Sequence, residues 1–253
     1  MRRFLWVGLG VIGAGVLLLG LAFYAVFGGL RSAEAEEVAG LGYALVDTYV
    51  TVTVIDVGGG RLLLVDAGND PTGAPILAAL AAHGQRPQDV AAILLTHGHQ
   101  DHVAALDVFP GADVYALEPE KPYLAGEIAY HGPIPALFGA QPPRRVTRYL
   151  RDGEVLQVGT RRVEALWLPG HTAGSAAWLV DEFLFVGDSA SFLGDGSVVG
   201  APWVFSDDTA QNRASLAALG PRLAGRTIRR TLSSHTGSVE GLGGLASFGA
   251  GRP

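Results

Sequence analysis

One stretch of seven residues, Thr96-His97-Gly98-His99-Gln100-Asp101-His102, holds three of the seven histidines in the chain. It follows directly on an apolar run, Val90 to Leu95, that predicts a buried strand. The histidines are therefore expected at the carboxyl end of that strand, on a tight turn that Gly98 permits.

Imidazole nitrogens and carboxylate oxygens are ligands that zinc accepts. A turn that carries His-x-His and then Asp-His can direct two pairs of ligands in different directions. The stretch therefore predicts a metal site with space for two ions. A solvated polar loop with unrelated histidines is the alternative interpretation.

The length and composition of the chain exclude several classes of protein. Its 253 residues are enough for one sizeable domain with a large apolar core. The formal net charge of -6 argues against a nucleic-acid surface, for which a basic patch is expected. Cysteine is absent, which excludes disulfides and thiolate metal sites. An exported domain can fold without disulfides when its core is large, so this leaves the compartment open.

The first thirty residues differ from the rest of the chain. No charged side chain occurs from Phe4 to Leu30. A helix of that length, at ~1.5 Å rise per residue, is about 40 Å long and can span a hydrocarbon core of ~30 Å with tilt. Residues 1–30 are therefore predicted to form a transmembrane anchor. A cleaved signal peptide is the alternative, because Ala33-Glu34-Ala35 resembles a cleavage site, although apolar signal regions run only ~7–15 residues.

The positive charges around this run predict its orientation. Arg2 and Arg3 precede it, and Arg31 alone follows it closely. This excess predicts a cytoplasmic amino terminus and a globular domain outside the cytoplasm, or a secreted protein if the segment is cleaved. Residues 31–40 are short, polar and acidic, as in a linker, and residues 41–253 are assigned to the globular domain.

Strands and helices follow one another along that domain. Val46 to Val57 is rich in β-branched residues, a glycine turn follows at 58–60, and Arg61 to Asp66 returns the chain as a hairpin. Further strands are predicted at Ala112 to Leu117, Val155 to Val158, Arg162 to Leu168, Ala176 to Val180, Phe183 to Val186 and Ile228 to Ser233, and helices at Pro75 to His83, His102 to Val108 and Asp208 to Leu223. Runs of strands interrupted by helices indicate two packed sheets covered by helices.

Three further polar residues stand directly after apolar strands. They are His171 in Pro169-Gly170-His171-Thr172, Asp188 in Gly187-Asp188-Ser189, and His235 in Ser233-Ser234-His235-Thr236. Strands that end at one edge of a sandwich can bring such residues together.

In this order, His-x-His-x-Asp-His, Pro-Gly-His-Thr, Gly-Asp-Ser and a late histidine resemble the motifs of the metallo-β-lactamase-fold hydrolase superfamily, over about Leu41 to Gly237. The resemblance implies an α/β fold (α+β in some schemes): a four-layer αββα sandwich of two mixed β-sheets flanked by helices. The metal site would lie at one edge of the sheets.

The resemblance also implies a role for each candidate ligand. The first metal ion would be held by His97, His99 and His171. The second would be held by Asp101, His102 and His235, and Asp188 would bridge the two ions. Asp66, in Val65-Asp66-Ala67-Gly68, matches a frequent family aspartate that would orient a ligand imidazole. An aspartate that initiates a turn is an equal alternative.

Departures from particular branches of the superfamily narrow the prediction. Asp188 stands where one β-lactamase branch has cysteine, so that branch is excluded. His99 stands where di-iron members carry glutamate, which favours two zinc ions over iron and leaves other divalent metals open. Only 18 residues follow His235, too few for the helical domain with which glyoxalase II-like thioesterases bind glutathione. The expected relatives are small lactonase-like and general hydrolases.

The predicted reaction is hydrolysis of an ester, lactone, thioester or amide in a small molecule. Two zinc ions would lower the pKa of a water to about 7 and polarise a carbonyl. Asp101 or Asp188 would pass the proton to the leaving group. The alternatives are a metal-dependent phosphodiesterase, a sulfur oxygenase, or a membrane-tethered metal-binding module without turnover. The sequence leaves the oligomeric state open.

Aromatic residues near the site are candidates for an apolar substrate pocket. They are Trp203 and Phe205 after Asp188, and Tyr123, Tyr130 and Phe138 in the irregular segment 118–143. Ordinary packing is an equal alternative for each of them. His83 and His131 are expected to lie outside the metal site.

Overall fold

The computed structural model describes residues 20, 21 and 23–249. Helical residues occur at 20–21 and 23–27, at the start of this part. Most of the predicted transmembrane anchor, including its basic residues Arg2 and Arg3, lies outside the described residues. Within the described part, every helix is too short or too polar to cross a bilayer.

Among the described residues from 31 to 249, fifteen strands and four α-helices are joined by short 3-10 turns. The strands are β1 (Glu36–Val38), β2 (Gly42–Asp47), β3 (Val50–Asp56), β4 (Leu62–Val65), β5 (Val90–Leu94), β6 (Asp113–Leu117), β7 (Arg148–Leu150), β8 (Val155–Val158), β9 (Arg161–Trp167), β10 (Ala176–Val180), β11 (Phe183–Gly187), β12 (Ala190–Phe192), β13 (Val198–Gly200), β14 (Arg230–Ser233) and β15 (Gly237–Glu240). The helices are α1 (Ala74–Ala82), α2 (Gln100–Val103), α3 (Lys121–Leu124) and α4 (Thr209–Arg222).

The strands form two large mixed sheets. The first has the order β1-β2-β3-β4-β5-β6-β7, antiparallel up to β4 and parallel from there on. The second has the order β15-β14-β11-β10-β9-β8, in which only β11 and β14 are parallel. Strands β12 and β13 form a separate hairpin.

Three apolar clusters hold these elements together as layers. On the outer face of the first sheet, Ile76 and Leu80 of α1 pack against strand residues such as Ile93. Between the sheets the core is built around Trp178 and its neighbours. On the outer face of the second sheet, Leu216 of α4 packs against the strands. Burying each such side chain contributes about 1.5–3 kcal/mol. The predicted four-layer αββα sandwich is confirmed.

The predicted strand Val46 to Val57 begins too early, because the chain turns near its start, and the remainder, β3, pairs with β4 as the predicted hairpin. Thr48 has φ 64° and forms a two-residue turn with Tyr49, so Asp47 pairs with Val50 across the β2–β3 hairpin. The turn contains neither glycine nor asparagine. It is stabilised from outside by the buried Asp47 carboxylate, which accepts hydrogen bonds from the backbone N–H groups of residues 69 and 70 at 2.7 and 2.8 Å.

The segment predicted as a linker, residues 31–40, packs on the domain. Strand β1 lies within it and pairs with β2, and Val38 is buried. Earlier in the segment, the Ala33 N–H donates to the His235 carbonyl at 3.1 Å. Glu36 forms an ion pair with Arg230 at 2.9 Å. Glu36 therefore pairs with the second sheet, whereas Glu37 lies 3.2 Å from His83 at the end of α1.

Candidate metal centre

The predicted ligands lie on four loops at one edge of the sandwich. The histidine loop (residues 96–102) follows β5, His171 lies between β9 and β10, Asp188 follows β11, and His235 follows β14. Close approach of the first and third loops requires Gly187, which has φ 57°. A Cβ atom there would lie 2.7 Å from the Cβ of Thr96.

Three imidazoles form a first set of donor atoms. The Nε2 atom of His97 lies 3.0 Å from Nδ1 of His99, and Nε2 of His171 lies 3.1 Å from each of those two atoms. All three side chains are buried. The pKa of each imidazole is lowered, mainly because the side chain is buried. The pKa of His99 is lowered to about 4. Neutral imidazoles offer a lone pair, and this triangle suits metal–nitrogen bonds of about 2.0–2.1 Å.

A second set of donor atoms lies beside the first. Asp101 Oδ2 lies 3.7 Å from His102 Nε2 and 3.6 Å from His235 Nε2. Burial lowers the pKa of His102, but the carboxylates of Asp188, Asp101 and Asp66 outweigh this and raise it well above its ordinary value. Burial also lowers the pKa of His235, whereas Asp188 raises it, and the result is about 9. Negative charge therefore dominates this set and favours a cation.

Asp188 lies between the two sets. Its Oδ1 is 3.4 Å from His102 Nε2, and its Oδ2 is 3.0 Å from His235 Nε2 and 3.6 Å from His171 Nε2. Burial raises its pKa, but His235 and His102 lower it well below the ordinary range, so the group is a carboxylate. It occupies the position that a bridging ligand requires.

Two atoms at this junction test whether a metal fits. Among the described residues, His102 Nε2 and Asp188 Oδ1 are buried and have no hydrogen-bond partner. Leaving a buried polar atom unpaired costs about 1–3 kcal/mol. A cation bound to His102 Nε2 and Asp188 Oδ1 would remove that cost. The residues therefore fit one ion in each set, although their assignment as ligands stays a prediction.

Partners behind three of the imidazoles fix their orientation. The Asp66 carboxylate lies 2.8 Å from His102 Nδ1 and also accepts the Thr96 N–H at 2.7 Å. The Nδ1 atom of His171 lies 3.1 Å from Ser206 Oγ, and that of His235 lies 2.8 Å from the Tyr49 carbonyl. In each case Nε2 is left facing the centre. Asp66 thus orients the imidazole of His102, which is a predicted ligand.

No sequence motif predicted Glu120, which lies under the centre. Its buried carboxylate accepts four hydrogen bonds, from the Gly98 N–H, the Tyr130 hydroxyl and the Thr172 hydroxyl at 2.8 Å each, and from the Gly174 N–H at 2.9 Å. Burial raises the pKa of Glu120, and these donors lower it in part. Glu120 ties the histidine loop to the loop that carries His171. Its position just after β6 was the one available hint.

Of the aromatic residues predicted to line a substrate pocket, some are packed in the interior and others are exposed. Tyr130 is buried and packs edge-on against His99, with ring centroids 4.4 Å apart, and Tyr123 stacks on Tyr130 at 4.7 Å. Trp203 and Phe138 are instead 59 % and 77 % exposed. His83 and His131 lie outside the donor sets found among the described residues.

Comparison with known proteins identifies the family. A model described as the metallo-beta-lactamase superfamily matches residues 45–228, and the chain belongs to that superfamily. His235 lies beyond the matched residues, and the fold brings it within 3.0 Å of Asp188.

The similar curated proteins are named hydroxyacylglutathione hydrolase. One from Fuscovulum blasticum is 34 % identical over 165 residues, which are 65 % of this chain and 54 % of that protein. Another from Stenotrophomonas maltophilia (strain R551-3) is 33 % identical over 181 residues, 70 % of this chain and 57 % of that one. The chain thus spans about half the length of the curated relatives it matches.

Solved structures share the fold. A B3 metallo-beta-lactamase with an active-site glutamic acid superposes with a TM-score of 0.65, at 24 % identity and 90 % coverage of both chains. A subclass B3 metallo-beta-lactamase of Bradyrhizobium japonicum gives a TM-score of 0.59, at 24 % identity, covering 82 % of this chain and 79 % of that one.

Proposed function

We propose that the protein is a binuclear zinc hydrolase that cleaves an ester, lactone, thioester or amide bond in a small molecule. One observation carries the proposal: Asp188 lies between two adjacent donor sets, within 3.6 Å of His171 on one side and 3.0 Å of His235 on the other. A carboxylate shared by two donor sets supports a site for two ions.

The bound ions would supply water acidified to near neutral pH and positive charge for the oxyanion. The neutral imidazoles of His97, His99 and His171 would hold one ion, and Asp101, His102 and His235 would hold the other. The side chain of Asp101 is 19 % exposed and that of Asp188 is 11 % exposed. Both oxygens of Asp188 face imidazoles, so Asp101 is the better placed of the two to pass a proton to the leaving group.

A thioester is the substrate class to test first. The curated relatives at 30–34 % identity carry the name hydroxyacylglutathione hydrolase, and this likeness supports thioester hydrolysis by the shared half of those chains. The solved β-lactamases resemble this chain at under 25 % identity and support the fold alone. Phosphodiester hydrolysis, sulfur oxygenation and metal binding without turnover remain the competing proposals.

Metal removal and a substrate panel test the proposal. The full chain, freed of metal by chelation, should lose hydrolysis of a hydroxyacyl glutathione thioester, a lactone or a cephalosporin, and zinc should restore it. His99→Ala and Asp188→Ala should lower zinc content and turnover together. His131→Ala, whose ring lies outside the donor sets, is the matched control.

Several outcomes would contradict the proposal. Turnover by the metal-free chain, or by either ligand variant at the wild-type rate, would exclude a metal-assisted reaction. Bound iron with sulfur oxidation would favour the oxygenase, and phosphodiester cleavage would favour the phosphodiesterase. A zinc-replete chain that is silent on the whole panel would favour a metal-binding module.

We also propose that the charge-free run from Phe4 to Leu30 anchors the chain in a membrane, with the amino terminus in the cytoplasm. Its support is the length of the run and the positions of Arg2, Arg3 and Arg31. Fractionation before and after carbonate washing tests the anchor, and protease protection of the domain tests its orientation. Secretion of a chain lacking the run would support the signal-peptide alternative.

A further inference from the structure

Large apolar side chains are exposed on three segments of the surface. We call this set the apolar rim. It consists of Phe23 (68 % exposed), Tyr24 (73 %), Ile134 (37 %), Leu137 (80 %), Phe138 (77 %) and Trp203 (59 %). A contiguous exposed apolar patch marks a site of contact with a protein or a membrane.

The three segments of the rim touch one another. The ring centroid of Phe27 lies 6.3 Å from that of Phe205, which joins the helical residues 23–27 to the turn that carries Trp203. Val26, Leu30 and Trp203 help to line one cavity of about 400 Å³ between those two segments. The Ile134 N–H donates to the Val204 carbonyl at 2.9 Å, which joins the third segment to the second.

The rim borders the metal centre. Ser206 follows the turn of Trp203, and its hydroxyl lies 3.1 Å from His171 Nδ1. The next residue, Asp207, accepts hydrogen bonds from the N–H groups of His131 and Gly132, just before the third segment, at 2.7 and 2.9 Å. The turn that carries Trp203 therefore contacts the loop that carries His171 of the first donor set.

We propose that the apolar rim rests in the lipid bilayer that the charge-free run Phe4 to Leu30 enters. Phe23 and Tyr24 belong both to the rim and to that run. The end of the run is fixed to the domain: Leu30 forms an antiparallel bridge with Leu193, and the Arg31 N–H donates to the Phe192 carbonyl at 3.0 Å.

This attachment is the physical reason for choosing a bilayer as the partner. A membrane segment whose last residues are hydrogen-bonded to the globule holds the adjoining surface at the membrane. That surface carries Trp203 and Tyr24, and tryptophan and tyrosine are enriched where protein meets lipid headgroups. The exposed Leu137 and Phe138 would then leave water for the acyl region, where each buried CH₂ contributes about 0.8 kcal/mol.

One consequence concerns access to the metal centre. Because the turn of Trp203 contacts the loop of His171, docking of the rim would bring the first donor set close to the bilayer surface. Substrates that partition into lipid would then reach it along the membrane. The docking rests on the proposed membrane anchor and does not depend on the proposed hydrolase activity.

The absence of cysteine allows a direct test with single labels. Leu137→Cys and Trp203→Cys each receive a nitroxide in the full chain, reconstituted in phosphatidylcholine vesicles with a minority of phosphatidylglycerol. Val155→Cys is the control, because Val155 is 45 % exposed and lies on β8, at the opposite edge of the second sheet from β15. Frequent collisions of a label with dissolved oxygen indicate that it lies in lipid. Frequent collisions with a water-soluble nickel chelate indicate that it lies in water.

We expect the labels at residues 137 and 203 to collide mainly with oxygen, and the label at residue 155 to show the reverse ratio. Water-like ratios at both rim positions would overturn the proposal. Shielding of both rim labels from oxygen and nickel alike would also overturn it and would point to a second copy of the chain. A chain that stays in solution when vesicles are pelleted would overturn it as well.

Discussion

The indole N–H of Trp178 donates to the backbone carbonyl of Leu95 at 3.0 Å, across the interface between the two sheets. Trp178 lies on β10 of the second sheet, and Leu95 follows β5 of the first, directly before the histidine loop. The neighbouring Ala176 N–H donates to the Thr96 carbonyl at 2.7 Å. The second sheet therefore holds the start of the histidine loop in place.

Trp178→Phe should destabilise the protein by about 1–3 kcal/mol, because the buried Leu95 carbonyl loses its donor. The smaller ring adds a cavity cost. Denaturant unfolding of the metal-free chain measures the change. Trp167→Phe is the matched control. The indole of Trp167 donates to the Ala173 carbonyl at 2.9 Å, but Trp167 is 42 % exposed, so water can replace the lost donor. Equal losses for the two variants would refute this role for Trp178.

Glu120→Gln should weaken both folding and zinc binding. The amide has one accepting oxygen, so the donors facing its NH₂ group are left unpaired in a buried site, at about 1–3 kcal/mol for each lost bond. The loops that carry His99 and His171 then lose their common support. Unfolding free energy and competition with a zinc chelator are the measurements. Glu118→Gln, at an exposed carboxylate paired with Arg151, should change neither, and unaltered zinc affinity in Glu120→Gln would contradict the prediction.

Asp66→Asn should weaken binding of the second metal ion about 10–100-fold, because the carboxylate that orients His102 loses its charge. The first ion should be affected less, since His97, His99 and His171 do not contact Asp66 among the hydrogen bonds of the described residues. Stepwise zinc titration by calorimetry separates the two ions. Asp107→Asn, at an exposed position, serves as control, and equal loss at both steps would argue against a selective role.

Glu164 should stabilise the fold only above the acidic range. Burial raises the pKa of Glu164, but the guanidinium groups of Arg226 and Arg162 outweigh it and lower that pKa below its ordinary value. A lowered folded-state pKa means that the stabilisation is full above the unfolded value, about pH 4.3, and is lost as the pH falls through the folded value. The Arg226 contact is bidentate, at 2.8 and 3.1 Å.

The measurement compares the Tm of the wild type with that of Glu164→Gln over a range of pH. Both chains are treated with a chelator so that bound metal does not contribute to their stability. Their difference in Tm should be largest near neutral pH and should shrink below about pH 4. Because other titrating groups are common to both chains, they cancel in the difference. A difference that grows on acidification would show that the ion pairs do not act in this way.

Much of the fold and of the candidate site could be predicted because the relevant patterns are local. Strands such as Ala176–Val180 are short apolar runs, and each candidate ligand directly follows one. The order of the motifs then indicated the αββα sandwich. The transmembrane run was equally visible in the sequence, and it remains a proposal because it lies largely outside the described residues.

What the sequence by itself determined is the set of chemical groups: seven imidazole and carboxylate side chains, each at the end of a strand, on a family fold that gathers strand ends at one edge. The tertiary structure alone decided which atoms meet. It turned the chain at Thr48, packed the segment 31–40 on the domain and placed Asp188 between the donor sets. It also placed Glu120 under two loops whose donors lie 22 and 54 residues away. The reason is physical: a hydrogen bond depends on distance in space, and no local pattern encodes a contact between distant parts of the chain.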